Sequence, residues 1–215
     1  MLSSVSALST ESIELLKVRG QSDQQVSDFS ALLAQSNEQL KQNVSAKEVL
    51  TTLSTEELNL IQTSAGLADQ IWVSGLSDEG ARNLLTQPDR SGMVDLNNDG
   101  IVEVGLSRTL QFPPVNAPSS VHQAWKEATI GMDESDKIIL QLQMHMSVYG
   151  TQIDGLPQQE PLPSEQQWST SGWQQLLSDV RAGLEFKVAH EGWTRYSLVQ
   201  QEFYNRFERA LEASA

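Results

Sequence analysis

Residues 93–106 read MVDLNNDGIVEVGL, and they separate two long stretches of helical character. Apolar residues on either side of the polar Asn-Asn-Asp-Gly turn indicate extended backbone around it. In the flanking stretches, apolar residues recur every three or four positions, which is the period of an amphipathic helix. We therefore predict a mainly α fold in which one short β-hairpin or loop is inserted near the middle.

Helix signals follow this segment on its C-terminal side. Asp133 is placed to begin a helix and Gly150 to end it, although apolar and polar residues alternate strictly between Ile139 and Tyr149, as they do in a strand. We still predict a helix, because Leu, Gln and Met favour helices and both end signals are present. Residues 171–213 are predicted to form a helix pair, which begins with a capping box of Ser171 and Gln174.

Two regions are predicted on the N-terminal side. Residues 1–44 are rich in Ser and Gln and carry a thin apolar stripe, so we predict a helical, partly flexible arm. Residues 45–215 are predicted to form a helical domain that contains the 93–106 segment. Capping boxes mark its first two helices, in Ser45-Ala46-Lys47-Glu48 and Ser54-Thr55-Glu56-Glu57.

Composition limits the classes of partner. Fourteen basic residues against 28 acidic ones give a net charge of −14, which disfavours nucleic acids and anionic lipid surfaces. There is no cysteine and no run of apolar residues long enough to span a membrane. The N-terminus lacks the pattern of a cleaved signal peptide, so we expect a cytoplasmic protein or one exported without such a peptide.

The segment from Asp95 to Glu103 carries the clearest chemical pattern. It fits D-x-[DN]-x-[DN]-G-x-x-E and resembles the first nine positions of an EF-hand calcium loop. Oxygen ligands on alternate residues point inward when the chain curls around a hard cation. The resemblance implies that Ca²⁺ is bound by these residues: Asp95, Asn97, Asp99, the carbonyl of Ile101 and, directly or through water, Glu103.

The match departs from the EF-hand at its end. Leu106 stands where an EF-hand has its bidentate glutamate, so the segment is closer to the shorter calcium loops of some propeller proteins. An acid from elsewhere would then complete the ligand shell, with Glu127, Asp133 and Glu134 as candidates. The alternative is a metal-free hairpin that turns at Asp99-Gly100, with Val94, Leu96, Ile101 and Val102 in its strands.

The remaining polar and aromatic residues show no catalytic pattern. The histidines are isolated, no phosphate-binding loop or nucleophile elbow occurs, and the tryptophans are expected mostly in the core. We predict a calcium-binding helical protein that binds another protein, of unknown oligomeric state. The alternative is a calcium-stabilised hydrolase of a glycan or other polymer. It requires paired carboxylates across a helical cleft, for which Glu127, Glu134 and Glu165 are the candidates.

Overall fold

The computed structural model describes residues 8–150 and 160–213 of the chain. Its structure is mainly helical, with one antiparallel hairpin, as the sequence predicts. The α-helices are α1 Thr10–Val18, α2 Asp23–Lys41, α3 Ala46–Thr52, α4 Thr55–Ala65, α5 Asp78–Leu84, α6 Ser119–Ala128, α7 Glu134–Tyr149, α8 Ser164–Gln167, α9 Thr170–Glu191 and α10 Arg195–Ala213. The strands are β1 Ile101–Val104 and β2 Ser107–Leu110, and a 3₁₀ turn covers Val73–Gly75.

The chain divides into two compact units. The N-terminal unit comprises residues up to Asn97 together with Ile101–Leu110, and the C-terminal unit comprises Asn98–Gly100 together with the residues from Gln111 onward. Each unit has its own hydrophobic core. No helix in residues 8–150 and 160–213 is long and apolar enough to cross a membrane.

The core of the N-terminal unit is built by α1 to α5. Phe29 and Leu33 of α2 are buried in the same cluster as Leu50 and Ile61. The unit therefore begins well before residue 45, and its division from the C-terminal unit falls near the hairpin. This differs from the predicted boundary at residue 44, because the apolar stripe of α2 has core partners. The part of the predicted arm before residue 8 lies outside the described residues.

Local signals set the ends of several helices. The capping boxes at Ser45 and Ser54 are both formed, and a third box joins Ser22 to Gln25 at the start of α2. The box predicted at Ser171 is wrong: the N-cap of α9 is Ser169, two residues earlier, and its side chain accepts from the backbone N–H of Gly172.

The C-terminal unit confirms the helix predicted across the alternating stretch. The side chain of Asp133 caps α7, whose buried residues Leu140, Met144 and Val148 are spaced four apart. A residue every four positions keeps one face of a helix toward the core. These residues share a core with Trp125 of α6, Trp173 of α9, and the aromatic residues Phe203, Tyr204 and Phe207 of α10.

The hairpin turns at Gly105-Leu106. Val104 pairs with Ser107, and Ile101 pairs with Leu110. Gly105 has a φ of 62°, whereas Leu106 is not among the residues with positive φ, as in a type II′ turn. The alternative hairpin that turns at Asp99-Gly100 is therefore wrong, since that dipeptide precedes β1 instead of joining two strands.

Candidate calcium loop

The backbone of residues 95–103 curls through the left-handed region twice. Asn98 has a φ of 55° and Gly100 a φ of 74°. Asparagine and glycine are the residues that adopt this conformation at least cost. The curl therefore follows from residues at the fourth and sixth positions of the segment.

Gly100 is also required by its surroundings in the C-terminal unit. A Cβ atom built at this position would lie 2.3 Å from Cε2 of Tyr149 and 2.5 Å from Cε1 of His145. Such contacts are far shorter than a carbon pair tolerates. Any side chain at residue 100 would have to displace two aromatic rings as well as strain the backbone.

A buried glutamate holds the two ends of the segment in the N-terminal unit. Glu79 of α5 is only 5% exposed. Its Oε2 accepts from the backbone N–H of Leu96 at 2.8 Å, and its Oε1 accepts from the backbone N–H of Glu103, also at 2.8 Å. One carboxylate thus joins two backbone N–H groups that lie seven positions apart in sequence, through charge-assisted hydrogen bonds.

Asn83, one turn further along α5, makes a second bridge. Its amide nitrogen donates to the carbonyl oxygens of Val94 and Glu103, both at 2.8 Å, and its amide oxygen accepts from the N–H of Val94. Close approach of the backbones completes the joint. The N–H of Gly105 donates to the carbonyl of Gly80 at 3.0 Å, and a Cβ on Gly80 would lie 2.2 Å from the carbonyl oxygen of Gly105.

The five predicted ligands lie in different environments. The side chain of Asp95 is buried, those of Asp99, Ile101 and Glu103 are half-buried, and that of Asn97 is exposed. Glu103 lies opposite Arg108 in the hairpin and pairs with it, with Oε1 3.2 Å from Nε. Its other carboxylate oxygen accepts from the hydroxyl of Ser77.

The donor chemistry of the segment suits calcium, since all five positions would supply oxygen. In the described part of the chain, no three histidine, aspartate or glutamate side chains are grouped so that they could hold a metal ion. A calcium ion here would therefore draw on amide, carbonyl and water oxygens besides its carboxylates. Leu106 is 59% exposed at the hairpin turn, and an aliphatic side chain supplies no ligand.

The acids proposed to complete the shell lie exposed on helices of the C-terminal unit. Glu127 and Glu134 are exposed, and Asp133 is engaged as the cap of α7. The acid that sequence reasoning missed is Glu79. Its position in the first turn of α5 is typical of a residue that offsets the helix dipole, and nothing local indicates its bonds to residues 17 and 24 positions away.

The hydrolase alternative gains no support from its candidate carboxylates. Glu127, Glu134 and Glu165 are all exposed. The expectation for the tryptophans holds for two of five: Trp125 and Trp173 are buried, whereas Trp72, Trp168 and Trp193 are each more than half exposed. Comparison with protein-family models, curated proteins and solved structures found no match.

Proposed function

We propose that this chain is a calcium-binding helical protein that acts by binding another protein. The observation that carries the calcium assignment is the ligand spacing from Asp95 to Glu103, on a backbone that curls through Asn98 and Gly100. The curl matters because alternate residues can face one point only when the chain between them turns sharply. In this role the ion stabilises the conformation of residues 95–103, in addition to the hydrogen bonds that Glu79 accepts from Leu96 and Glu103.

The side chain of Glu103 already has two partners within the N-terminal unit. In the structure both of its oxygens are engaged, one by Arg108 and one by Ser77. The guanidinium of Arg108 competes with a calcium ion for the negative charge of this carboxylate, whereas the Ser77 hydroxyl is neutral. Arg108→Gln removes this competing positive charge, so we expect it to tighten calcium binding in equilibrium dialysis.

Calcium rather than magnesium is the ion that this segment fits. Calcium accepts six to eight oxygen ligands in flexible geometry, including amide and carbonyl oxygens. Magnesium demands a near-ideal octahedron and gives up its waters reluctantly. The segment offers a buried carboxylate at Asp95, an exposed amide at Asn97 and the carbonyl of Ile101 in β1. Such a mixed set of oxygen ligands suits calcium.

An exposed apolar face of α7 supports the partner-binding part of the proposal. Ile138, Ile139 and Leu142 are about half exposed or more, and they lie on adjacent positions of the helix surface. Exposed apolar patches of this kind are typical of protein interaction sites. Ile138→Ser combined with Leu142→Ser should therefore weaken capture of a binding protein, whereas Val18→Ser, at an exposed position of the N-terminal unit, should not.

Thermal unfolding with and without calcium tests the ion assignment. The protein is first treated with chelator, and its unfolding midpoint is compared before and after calcium or magnesium is added. A ligand at a hundred times its Kd stabilises the folded state by about 2.7 kcal/mol. We expect calcium to raise the midpoint of the wild-type protein and not that of Asp99→Ala.

The matched control is Asp69→Ala, which removes the same charge from an exposed position of the N-terminal unit. This variant should keep the full response to calcium. Equal responses of Asp99→Ala and the wild-type protein would contradict the proposal, as would a magnesium response as large as that to calcium.

A further inference from the structure

The N-terminal unit contains a cavity of about 230 Å³ whose lining includes two arginines and no acid. Arg19 follows α1, and Arg90 lies in the turn after α5. The hydroxyl-bearing residues Ser107 and Thr109 of β2 also line the cavity. Since residues two apart share one face of a strand, these two hydroxyl groups lie side by side. A cavity without carboxylates is unexpected in a chain of net charge −14.

Both arginines lack a carboxylate partner in the described part of the chain. Four other arginines each pair with an acid: Arg108, Arg181, Arg195 and Arg206. The guanidinium of Arg19 instead donates to the carbonyl oxygen of Ser64. Most donor sites of the two guanidinium groups therefore remain available to a ligand.

The two guanidinium groups act on each other. Burial lowers the pKa of Arg19, and the charge of Arg90 lowers it further. Two positive charges thus lie within electrostatic range of each other, and no acid lines the cavity that they share. Arg90 also has a φ of 68°, which lies in the left-handed region that non-glycine residues rarely adopt.

The nearest acid in sequence, Asp89, forms no ion pair with either arginine. Serines donate to both oxygens of the Asp89 carboxylate. Oδ1 accepts from the backbone N–H of Ser91 at 2.8 Å and from its hydroxyl at 2.6 Å. Oδ2 accepts from the hydroxyl of Ser9. Gly66, with a φ of 73°, lies against Arg19, where a Cβ would be 3.2 Å from Nε. The guanidinium of Arg19 is thereby held on one side of the cavity.

We propose that this cavity binds a phosphate group, either free or at the end of a small metabolite. Planar guanidinium groups bind phosphate oxygens in pairs, and neighbouring hydroxyl groups supply further donors. Drug-sized ligands occupy pockets of roughly 300–1,000 Å³, so the ligand here is smaller. Phe29, Leu84 and Met93 line the rest of the cavity and would contact the uncharged part of a phosphate ester.

Calorimetric titration with inorganic phosphate and with phenyl phosphate tests this site. The protein is chelator-treated, so that phosphate cannot act through calcium, and chloride keeps the ionic strength constant. We expect saturable binding of inorganic phosphate, and tighter binding of phenyl phosphate because its ring adds apolar contact. Arg90→Gln should weaken both by roughly ten- to a hundredfold.

Two further variants keep the test decisive. Arg82→Gln removes the same charge from an exposed position of α5 outside the cavity and should leave phosphate binding unchanged. Thr109→Val removes a lining hydroxyl while suiting a strand, and it should weaken binding even if Arg90→Gln fails to fold. Succinate, a dicarboxylate, is titrated in the same way. Three outcomes would overturn the proposal: no saturable binding of phosphate by the wild-type protein, binding of phosphate by Arg90→Gln or Thr109→Val as tight as that by the wild-type protein, or binding of succinate in place of phosphate.

Discussion

Replacing Glu79 with glutamine leaves one acceptor oxygen where the structure uses two. The carboxylate of Glu79 accepts from the N–H groups of Leu96 and Glu103, both at 2.8 Å, in a side chain that is 5% exposed. The amide would turn its nitrogen, a donor, toward one of these N–H groups. A hydrogen bond to a charged group contributes about 1.5–3 kcal/mol, so we expect a loss of about 2–3 kcal/mol in the free energy of unfolding.

Two measurements check this magnitude. For a chain of this size each kcal/mol shifts the unfolding midpoint by about 2–4 °C, so the midpoint should fall by about 4–12 °C. Amide hydrogen exchange should also accelerate at Leu96 or Glu103, because one of the two N–H groups loses its acceptor. The control is Asp78→Asn on the exposed side of the same helix turn, where Oδ1 of the carboxylate lies 3.4 Å from Nζ of Lys47. An unchanged midpoint together with unchanged exchange at both amides would refute the proposed role of Glu79.

Three pH-dependent predictions follow from other polar groups. Burial favours a raised pKa for Asp89, but hydrogen bonds from serines outweigh it and hold the pKa below 3.8. Asp89→Asn should therefore lower the free energy of unfolding by about 1 kcal/mol at neutral pH. Urea unfolding should show this difference vanishing as the pH falls below 3.8. Burial lowers the pKa of His122, so an NMR titration of its imidazole should give a midpoint below 6.5. The folded state should lose stability as the pH falls below that value. A midpoint at or above 6.5 would contradict this prediction. Burial raises the pKa of Tyr204 to about 12, so Tyr204→Phe should remove an ionisation step near that pH from the absorbance titration. The stability that the protonated phenol contributes to the folded wild-type protein should fall as the pH rises above 10.0.

Helix ends were predictable because their signals are local. A capping serine and the glutamate three residues later satisfy each other's backbone N–H groups, and both boxes read from the sequence at Ser45 and Ser54 are formed. The α7 prediction required weighing two patterns. Its strand-like alternation arises because Leu142, between the buried Leu140 and Met144, is 51% exposed.

The hydrogen bonds from Glu79 and Asn83 to residues 94–103 were not predictable, because they join residues distant in sequence. Glu79 and Asn83 look like ordinary helix residues until folding brings them to the ends of the 95–103 segment. The hairpin did carry a local signal in Gly105, since a glycine at the first central position suits a type II′ turn. The Asp99-Gly100 dipeptide is the commoner hairpin signal, and it drew the prediction away from the turn at Gly105-Leu106, six residues later.

The side-chain partner of Glu103 was predictable only in part. Arg108 lies opposite it once the turn is placed at Gly105-Leu106, and cross-strand charge pairs are common in antiparallel hairpins. With the turn placed at Asp99-Gly100, the two residues would not have paired. The position of one turn therefore decides whether Glu103 has a competing partner for calcium.

Equilibrium dialysis against calcium tests the central claim most directly, because it counts bound ions without relying on stability. The chelator-treated wild-type protein is compared with Asp95→Asn and Asp99→Ala, and with Asp69→Ala as the charge-matched control. We predict one saturable calcium ion for each chain in the wild-type protein and in Asp69→Ala, with the ion lost in both loop variants. Absence of saturable binding by the wild-type protein, or binding that survives in both loop variants, would contradict the assignment of residues 95–103 as a calcium loop.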